Sequence, residues 1–412
     1  MNIFKFGGAS LKNATGVKNV TQIIKANSKD GLLVVVSAMG KATDALEEIV
    51  SLAQSKKSYQ KEVDLLRHYH LALSKELFSG DQLSEEIEKL FIGLETLIKD
   101  NGEADLFYDQ IVSCGELISS TIVARYLQTE NISATWIDAR QYIKTDNTFR
   151  EGKVDWMETE KEIRQLDLKN QKIIVTQGFI GSTKNNLTTT LGREGSDFSA
   201  AIFGCCLKAK SVTIWKDVPG VMSADPKRIP DAIVFEELPY KEAAEMTYFG
   251  ASVIHPKTIK PLANNNIPLF VKSFIDPTLS GTKIYDCRVG KLPPLIVYKG
   301  NQCLVSCKVT DYTFVDETQL AIIFKALTEL NIRMNVMQNS AISFSFCIDY
   351  RESKVLKLIE LLSKNFEVYY NANLTLVTIK NYDQKTSTQY RNLKGVILEQ
   401  SSRSTLQVLV KD

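Results

Sequence analysis

The chain of 412 residues is too long for a single compact core, so its length predicts two or three domains. Hydrophobic residues make up 44% and charged residues 24%, and the net charge of +2 gives no field suited to nucleic acid or to an anionic membrane. The chain opens with MNIFKFGG, which has the pattern of a buried strand and not of a leader, and no apolar run approaches the ~20 residues of a membrane span. We therefore expect a cytoplasmic protein that binds neither nucleic acid nor membrane.

The cysteine and histidine content argues against a metal site built from protein side chains. None of the seven cysteines forms a CxxC pair, and most lie in apolar segments, which is typical of reduced, buried thiols. The three histidines are too few for a histidine-rich centre. We expect no metal bound by the protein alone.

The N-terminal segment predicts alternating strands and helices. Met1–Phe6 has a strand pattern and ends at Gly7–Gly8, a tight turn that leaves the Lys5 amine near the glycines. An amphipathic stretch near Val17–Ala26 precedes Leu32–Ser37, a continuous apolar run of the kind that parallel sheets bury on both faces. The order strand, helix, strand indicates an α/β architecture.

Helical periodicity dominates the next part of the chain. From Ala45 to about Lys99 apolar residues recur at helical spacing, which predicts an insertion that covers one side of the sheet. Ser113 and Glu116 then stand three residues apart before the helix-like run Leu117–Leu127, which is the pattern of a capping box. This pattern gives Glu116 a purely structural interpretation.

Strand patterns resume after this helix. The loop that follows Trp215 (KDVPGVMSADPKRIPDA) is rich in proline, glycine and aspartate, and it is too long for a simple turn. Long ordered loops at the strand ends of α/β sheets are where ligands bind. Pro277–Pro294 has the composition of a linker. The strands are predicted at Ala134–Asp138, Lys172–Gly178, Ser211–Trp215 and Pro268–Lys272.

The segment Thr188–Ala201 (TTTLGREGSDFSAA) concentrates polar groups at the start of an apolar helix. Gly192 and Gly195 let the backbone turn tightly and approach a ligand. Ser196 or Asp197 is a suitable cap for the helix, whose free N–H groups favour an anion. The alternative is an ordinary glycine loop with an N-cap.

The C-terminal part has the rhythm of a split β-α-β unit followed by the start of a second copy. Only two strands follow the first strand of that second copy, so we predict that it lacks a helix and a strand. The first copy has strands at Leu304–Val309, Asn335–Met337 and Ile342–Ile348 and helices at Gln319–Leu330 and Val355–Phe366, and the second has Leu374–Ile379, Val396–Glu399 and Leu406–Val410.

Two common phosphate-binding motifs are absent from the sequence. Without GxxxxGK[ST] the chain has no P-loop, and without GxGxxG it has no dinucleotide fingerprint, so we expect no dehydrogenase activity. What remains is Lys5 beside Gly7–Gly8, the Gly192–Asp197 loop and the loop after Trp215. Phosphoryl transfer requires donors around three charged oxygens and a cation over the developing charge, which these segments supply.

Seven segments together resemble the aspartate kinases of the amino-acid kinase family, in order over about 290 residues. The resemblance implies an α/β, amino-acid-kinase-like three-layer sandwich with a largely parallel sheet, followed by α+β, ferredoxin-like ACT modules. It implies a catalytic domain over 1–290, with a substrate lobe 1–210 and a nucleotide lobe 211–290, and a tandem ACT-like regulatory region over 295–412 with an incomplete second copy. The segments are KFGGAS (Lys5–Ser10), VVVSAMGKATD (Val34–Asp44), GELISS (Gly115–Ser120), TQGFIGS (Thr176–Ser182), TTTLGREGSD (Thr188–Asp197), WKDVPGVMSADP (Trp215–Pro226) and FGASVIHP (Phe249–Pro256).

The resemblance also implies roles for individual residues. Lys5 would stabilise the transferred phosphoryl group, and Asp197 would hold this lysine and its loop in place. Arg193 would bind a substrate carboxylate and Glu116 the α-ammonium group. The implied hydroxyl contacts to the substrate are Ser37, Thr43 and Ser196, and the implied nucleotide-binding residues are Gly7, Gly8, Ser10, Lys216, Asp217, Met222 and Lys227.

The implied reaction is the ATP-dependent phosphorylation of the side-chain carboxylate of L-aspartate, the first step of lysine, threonine and methionine biosynthesis. A carboxylate with an ordinary pKa near ~4 is already ionised at neutral pH, so the reaction needs no general base. The product is an acyl phosphate, 4-phospho-L-aspartate. The cofactors implied are ATP and Mg²⁺, with Mg²⁺ bound mainly through the nucleotide phosphates.

Two departures from the family pattern bear on these expectations. Ser252 stands where the family often has a nucleotide-contacting lysine, and Lys216 is placed to replace that charge. The segment Asp311–Glu317 has no glycine, and Met337–Ala341 lacks the usual acidic residue. We therefore expect little feedback by lysine or threonine. Because regulatory modules of this kind pair across a dimer, we also expect a homodimer assembled through the C-terminal region.

Three alternatives stay open at this point. Singly, Lys5, Glu116, Thr43 and Asp197 each have a structural interpretation as a surface lysine or a helix cap. Another acyl-phosphate-forming kinase of this fold, such as an N-acetylglutamate kinase, would need no partner for an ammonium group. A non-catalytic amino-acid sensor would retain the fold without the chemistry. The joint match of all seven segments favours the aspartate kinase.

Overall fold

The computed structural model describes residues 1–78, 82–100, 102–168, 172–250, 254–310 and 314–411. They form two compact units. The first comprises Met1–Val221, Val234–Ala244 and Val253–Arg288, and the second comprises Met222–Ile233, Glu245–Ser252 and Val289–Asp412. Within the described ranges, every helix is too short or too polar to cross a membrane.

An eight-stranded sheet forms the centre of the first unit. The strands of this unit are β1 (Asn2–Phe6), β2 (Leu32–Val36), β3 (Ala134–Trp136), β4 (Ile173–Gln177), β5 (Ile180–Ser182), β6 (Thr188–Thr190), β7 (Val212–Lys216), β8 (Glu237–Pro239), β9 (Leu269–Ser273) and β10 (Thr282–Tyr285). The sheet has the order β3-β4-β2-β1-β7-β9-β10-β8, and β5 and β6 form a separate hairpin. All neighbours in the sheet run parallel except β9 and β10, which are antiparallel.

The central strands are buried as their sequences predict. All five residues of β2 (LLVVV) are buried, which confirms the predicted parallel core strand. Strand β1 lies between β2 and β7, with Lys5 opposite Val35 on one side and Ile214 on the other. Because the chain leaves β1 toward β2 and returns later as β7, the sheet has a topological switch point beside β1, where ligands bind in open α/β sheets.

The described residues between β1 and β9 contain ten α-helices. Three of them, α2 to α4, form the helical insertion that the periodicity between Ala45 and Lys99 predicts. The helices are α1 (Ala14–Ala26), α2 (Ala42–Gln54), α3 (Gln60–Leu77), α4 (Gln82–Lys99), α5 (Ala104–Thr129), α6 (Ala139–Tyr142), α7 (Trp156–Ile163), α8 (Gly195–Cys206), α9 (Tyr240–Tyr248) and α10 (Pro256–Asn264).

Helices pack on both faces of the sheet. On one face, Phe4 and Phe6 of β1 belong to a single core with residues of α1 and α5. On the other face α8 lies close to β7, since a Cβ atom on Gly204 would lie 2.7 Å from the Val212 side chain. The first unit is therefore an α/β three-layer sandwich with a largely parallel sheet, as expected.

Two local predictions for this unit are wrong. Helix α5 begins at Ala104, so Ser113 and Glu116 lie in its interior and form no capping box. The hydroxyl of Ser113 instead donates to the carbonyl of Gln110 in the preceding turn, at 2.8 Å. The predicted linker Pro277–Pro294 contains strand β10, whose four residues are too few to show a clear alternation.

A six-stranded antiparallel sheet forms the centre of the second unit, which agrees with the expected α+β, ACT-like architecture. Its elements are β11 (Leu295–Lys308), α11 (Glu317–Glu329), β12 (Met334–Asn339), β13 (Ser343–Asp349), α12 (Glu352–Leu362), β14 (Glu367–Lys380), α13 (Gln384–Arg391), β15 (Val396–Ser401) and β16 (Thr405–Lys411). The strand order is β12-β13-β11-β14-β16-β15.

Strands β11 and β14 each extend through both halves of this sheet. Residues 302–308 of β11 pair with β13, and residues 295–299 pair with the end of β14. The half of the sheet that contains the end of β14, β16 and β15 therefore also includes the start of β11, and helix α13 belongs to the same part of the unit. The sequence pattern missed both elements. Helix α13 (QKTSTQYR) has no hydrophobic stripe, because its buried residues are Thr386, Ser387 and Tyr390.

Candidate active site

One buried carboxylate between two lysines forms the electrostatic centre of the first unit. The Lys5 Nζ lies 2.6 Å from Asp197 Oδ1, and the Lys216 Nζ lies 3.5 Å from Asp197 Oδ2. Burial raises the pKa of Asp197, but the charges of Lys5 and Lys216 outweigh it and the net pKa is lowered. The carboxylate is therefore ionised, and it holds two cations side by side.

The sheet topology explains this arrangement. Lys5 and Lys216 lie at the carboxyl ends of the neighbouring parallel strands β1 and β7, and Asp197 lies in the first turn of α8. The expected cap of this helix is wrong. Glu194 is the N-cap residue, in a left-handed conformation and without a side-chain capping bond, while Ser196 and Asp197 are already helical.

Of the two glycines after β1, Gly8 is required by close packing. The Lys5 Nζ lies over Gly7, 3.4 Å from the position a Cβ atom would take. A Cβ atom on Gly8 would lie 2.6 Å from the Ala38 carbonyl oxygen, so this turn fits against the loop after β2 only with glycine. The Ser10 hydroxyl donates to the Gly7 carbonyl at 2.6 Å, which fixes the turn.

Glu116 is the second buried carboxylate of the site, and it forms no ion pair with the described residues. Its Oε1 accepts a long hydrogen bond of 3.4 Å from the Ala38 N–H, and its buried Oε2 has no hydrogen-bond partner among the described residues. Burial raises the pKa of Glu116 to about 8, with the Ala38 N–H and the charge of Lys5 opposing the rise. A cationic ligand group beside Glu116 would restore its ionised form.

The expected substrate hydroxyls lie near these charges in sequence and fold. Ser37 follows β2, and its carbonyl accepts a hydrogen bond of 2.5 Å from the Ser119 hydroxyl on α5. Thr43 is half-buried in the first turn of α2. Ser196 is packed against Gly178, since a Cβ atom there would lie 2.5 Å from the Ser196 Cβ.

Arg193 is exposed and follows Gly192, whose positive φ of 73° turns the chain before α8. Within the described ranges its guanidinium makes no ion pair or hydrogen bond. Its charge is close enough to contribute to lowering the pKa of His255. The guanidinium is therefore free to bind an anionic ligand group.

The residues expected to bind the nucleotide lie in two different units. Asp217 is exposed directly after β7 in the first unit, next to Lys216. Met222 and Lys227 belong to the second unit, so the geometry of the first unit does not include them. Ser252 lies outside the described residues.

Glu194 and Phe179 also lie at this site, although the sequence indicates no role for either of them. Glu194 has a left-handed backbone, and its buried Oε2 has no hydrogen-bond partner among the described residues. Burial and the nearby charge of Asp197 raise the pKa of Glu194, and the charges of Lys216, Arg193 and Lys5 oppose the rise. Phe179 also has a positive φ, of 69°, and its ring fills the space beside Gly195. Such strain in non-glycine residues concentrates at functional sites, but no sequence pattern indicates it.

Together these features define a class of site. Two lysines, a glycine turn and the start of helix α8 lie at the switch edge of a parallel sheet, which suits the transfer of a charged phosphoryl group. A buried carboxyl with a raised pKa and a guanidinium without a partner among the described residues lie in the neighbouring segments. The first unit thus has the construction of a kinase for a small, charged substrate.

Comparison with known proteins agrees with this class. Residues 1–273 match the amino acid kinase family. Lysine-sensitive aspartokinase 3 of Escherichia coli is 32% identical over 355 residues, which is 84% of this chain and 78% of the relative. The bifunctional aspartokinase/homoserine dehydrogenase 1 of Arabidopsis thaliana is 34% identical over 383 residues, and the chain spans only 42% of that relative's length.

Solved structures of an aspartokinase resemble the whole chain. Aspartokinase III of Escherichia coli in complex with aspartate and ADP has a TM-score of 0.84 at 29% identity, covering 100% of this chain and 96% of that chain. The same enzyme in complex with lysine and aspartate has a TM-score of 0.82 at 27% identity, with the same coverage. The chain belongs to the amino acid kinase family, and within it to the aspartokinases.

Proposed function

We propose that the protein transfers the γ-phosphoryl group of ATP to the side-chain carboxylate of L-aspartate. The observation that carries this proposal is the ion-pair cluster of Lys5, Asp197 and Lys216, together with a buried Glu116 and an exposed Arg193 that have no ion-pair partner among the described residues. The first group suits a transferring phosphoryl, and the second suits the ammonium and carboxylate of an amino acid. The aspartate and ADP bound by the similar Escherichia coli enzyme support the same assignment.

The reaction requires no proton transfer. A carboxylate oxygen of aspartate attacks the γ-phosphorus, the bond from that phosphorus to the bridging oxygen of ADP breaks, and ADP leaves with the bonding electron pair. The products are ADP and 4-phospho-L-aspartate. Since the nucleophile is an anion at neutral pH, the site must reduce charge repulsion and need not supply a base.

The residues of the cluster divide this task. Lys5 stabilises the transferring phosphoryl group from the end of β1, and Lys216 supplies a second positive charge from β7. Asp197 keeps both amines in position, because its ionised carboxylate contacts each of them. Gly7, Gly8 and Ser10 form the turn that brings backbone N–H groups to the phosphates, and Asp217 contributes to nucleotide binding. The roles of Met222 and Lys227, which belong to the second unit, stay predictions from the sequence.

Glu116 and Arg193 bind the α-amino-acid end of the substrate. Ionised Glu116 pairs with the α-ammonium group, and Arg193 forms a bidentate ion pair with the α-carboxylate, which leaves the side-chain carboxylate free to attack. Ser37, Thr43 and Ser196 supply hydroxyl contacts to the substrate. An N-acetylated substrate would leave Glu116 without a cationic partner in a buried site, which disfavours the N-acetylglutamate kinase alternative.

The cofactor Mg²⁺ is compatible with this site through the nucleotide. The described residues contain no group of three or more metal-binding side chains. They do contain the orphaned, buried Oε2 of Glu194, and a carboxylate oxygen is a ligand that Mg²⁺ accepts. We infer that Mg²⁺ would be held mainly by the phosphates of ATP with Glu194 as an additional ligand, and that the ion would neutralise phosphate charge.

The second unit supports a regulatory and assembly role. Its edge strands β12 and β15 leave backbone groups unpaired at both ends of the sheet. A second copy of the chain pairing at such an edge would give the expected homodimer. Sedimentation of the purified protein tests this proposal, and a monomer at micromolar concentration contradicts it.

An ADP-release assay with L-aspartate, L-glutamate and N-acetyl-L-glutamate tests the proposed activity. We expect ADP release with aspartate, dependent on Mg²⁺, and little with the other two acids. Preference for N-acetylglutamate would favour the other kinase of this fold. Binding of aspartate by calorimetry without any ADP release would favour a non-catalytic sensor.

A further inference from the structure

Asp109 is a fully buried carboxylate in helix α5, outside the site residues assigned above. Its Oδ2 accepts the backbone N–H groups of Arg150 and Thr190, each at 2.9 Å, and its Oδ1 accepts the Thr190 hydroxyl at 2.7 Å. Burial raises the pKa of Asp109, and the donors from Arg150 and Thr190 oppose the rise. One side chain of the helix thus joins two segments that are distant in sequence.

Both segments lead to the loop that carries Arg193. Thr190 ends strand β6, three residues before Arg193. The segment at Arg150 packs against Gly192, which lies between Thr190 and Arg193. A Cβ atom on Gly192 would lie 3.3 Å from the Arg150 carbonyl oxygen. The Gly152 N–H also donates to the Thr190 carbonyl at 2.8 Å. Asp109 therefore fixes the backbone on both sides of the turn before Arg193.

The same helix carries Glu116, two turns further along. Seven residues of α-helix advance about 10 Å and return to nearly the same face. Asp109 and Glu116 belong to a buried polar stripe in an otherwise apolar helix, and the stripe consists of Asp109, Ser113, Glu116 and Ser120. Helix α5 is thus a rigid link between Glu116 and the loop of Arg193.

We propose that Asp109 is a positioning residue that fixes Arg193 relative to Glu116, so that the two hold the α-carbon of the substrate in one place and amino dicarboxylates are selected by the length of side chain that reaches the transferring phosphoryl group. This inference rests on the proposed function, in which those two residues bind the α-ammonium and α-carboxylate groups of the substrate. With the loop anchored, the clamp fits aspartate. Without the anchor, Arg193 gains freedom, and the preference for aspartate over the longer glutamate falls.

Three variants separate anchoring from general stability. Asp109→Ala leaves the buried N–H groups of Arg150 and Thr190 without an acceptor. Asp109→Asn keeps an oxygen for those N–H groups, and its amide donates to the Thr190 hydroxyl, which can rotate to accept. Asp105→Ala is the matched control, since Asp105 lies one turn earlier on α5, is exposed, and among the described residues pairs with the Arg150 side chain alone, at 3.4 Å.

The readouts are the KM values for aspartate and ATP and the ratio of kcat/KM for aspartate and glutamate. For Asp109→Ala we expect a rise of about ten-fold or more in the aspartate KM, an unchanged ATP KM and a lower aspartate preference. Asp109→Asn should recover most of the loss, and Asp105→Ala should resemble the wild type. Equal changes in both KM values, or an aspartate preference that stays at the wild-type level, would overturn the proposal.

Thr190→Val keeps the test decisive if Asp109→Ala does not fold. It removes only the hydroxyl bond to Asp109 Oδ1 and leaves both backbone bonds in place. We expect a rise of about three-fold in the aspartate KM with no change for ATP, and no rise would contradict the anchoring role. A wild-type protein that releases no ADP with aspartate would instead overturn the proposed function itself.

Discussion

Each end of the candidate site contains a buried carboxylate, and the two carboxylates differ in the charges around them. At the phosphoryl end, Asp197 contacts two lysines and its pKa is lowered despite burial. At the amino end, Glu116 has a single long hydrogen bond from a backbone N–H, and burial raises its pKa to about 8. The first carboxylate is neutralised by the protein, and the second has no counter-ion among the described residues.

This difference indicates which part of the site is complete before a ligand binds. The lysines that face the transferring phosphoryl group under the proposed function are already held in place by Asp197, as electrostatic preorganisation requires. Glu116 is a desolvated acid whose cation, under the proposed function, is the α-ammonium group of the substrate. Burial of Glu116 without a counter-ion among the described residues therefore lowers the stability of the protein, and it raises the affinity for that group.

Removing the cation at the phosphoryl end should have the largest effect. For Lys5→Ala we expect kcat to fall by two or more orders of magnitude with an intact fold, because one cation aimed at the transferring group is worth ~3–4 kcal/mol of barrier. Steady-state kinetics and circular dichroism check both parts. A kcat close to that of the wild type would mean that Lys5 does not face the phosphoryl group.

Neutral isosteres of the two carboxylates should change stability in opposite directions. Between pH 4.5 and about 8 the folded protein keeps a proton on Glu116 that the unfolded chain has lost, so stability falls as pH rises through this window. Glu116→Gln removes this dependence and should raise the free energy of unfolding by about 3 kcal/mol at pH 7. Asp197→Asn leaves two lysines without their anion and should lower it by about 3 kcal/mol.

Denaturant unfolding at pH 5, 7 and 8 measures both variants against the wild type. Both should lose activity, Glu116→Gln through a higher aspartate KM and Asp197→Asn through a lower kcat. The aspartate KM of the wild type should also rise as pH falls below about 8, since a proton then competes with the substrate for Glu116. If both variants lower stability equally, the contrast between the two ends is wrong.

A smaller effect is expected from the carboxylate end of the clamp. Arg193→Lys keeps the charge but loses the planar fork that fits a carboxylate, so we expect the aspartate KM to rise by about ten-fold with little change in the ATP KM. Arg164→Lys is a matched control, because Arg164 is exposed on the surface and pairs only with Glu160. A change in the ATP KM instead would assign Arg193 to the nucleotide.

The sequence predicts the phosphoryl end better than the amino end. Lys5, the glycine turn and the loop with Asp197 are local patterns at the ends of strands, and parallel strands bring such ends together. The position of Glu116 depends on helix α5 beginning at Ala104. The serine three residues before this glutamate predicted a helix start at the wrong place. The pairing of Lys216 with Asp197 and the anchor at Asp109 join residues far apart in the chain, so they follow from the packing and from no local pattern.

The smallest effect is expected from lysine and threonine, because the second unit has little left to bind them with at the start of α11. Asp316 and Gln319 form a capping box there, so the N–H groups of Thr318 and Gln319 already have an acceptor. Of the preceding segment Asp311–Glu317, which has no glycine, residues 311–313 lie outside the described residues.

A ligand shifts an equilibrium only by its differential affinity for two states, so we expect millimolar lysine or threonine to change activity by less than about two-fold. The ADP-release assay at saturating and at limiting aspartate measures this, with the lysine-sensitive relative of Escherichia coli as the positive control. Inhibition at sub-millimolar concentration would show that this segment binds an amino acid without a glycine.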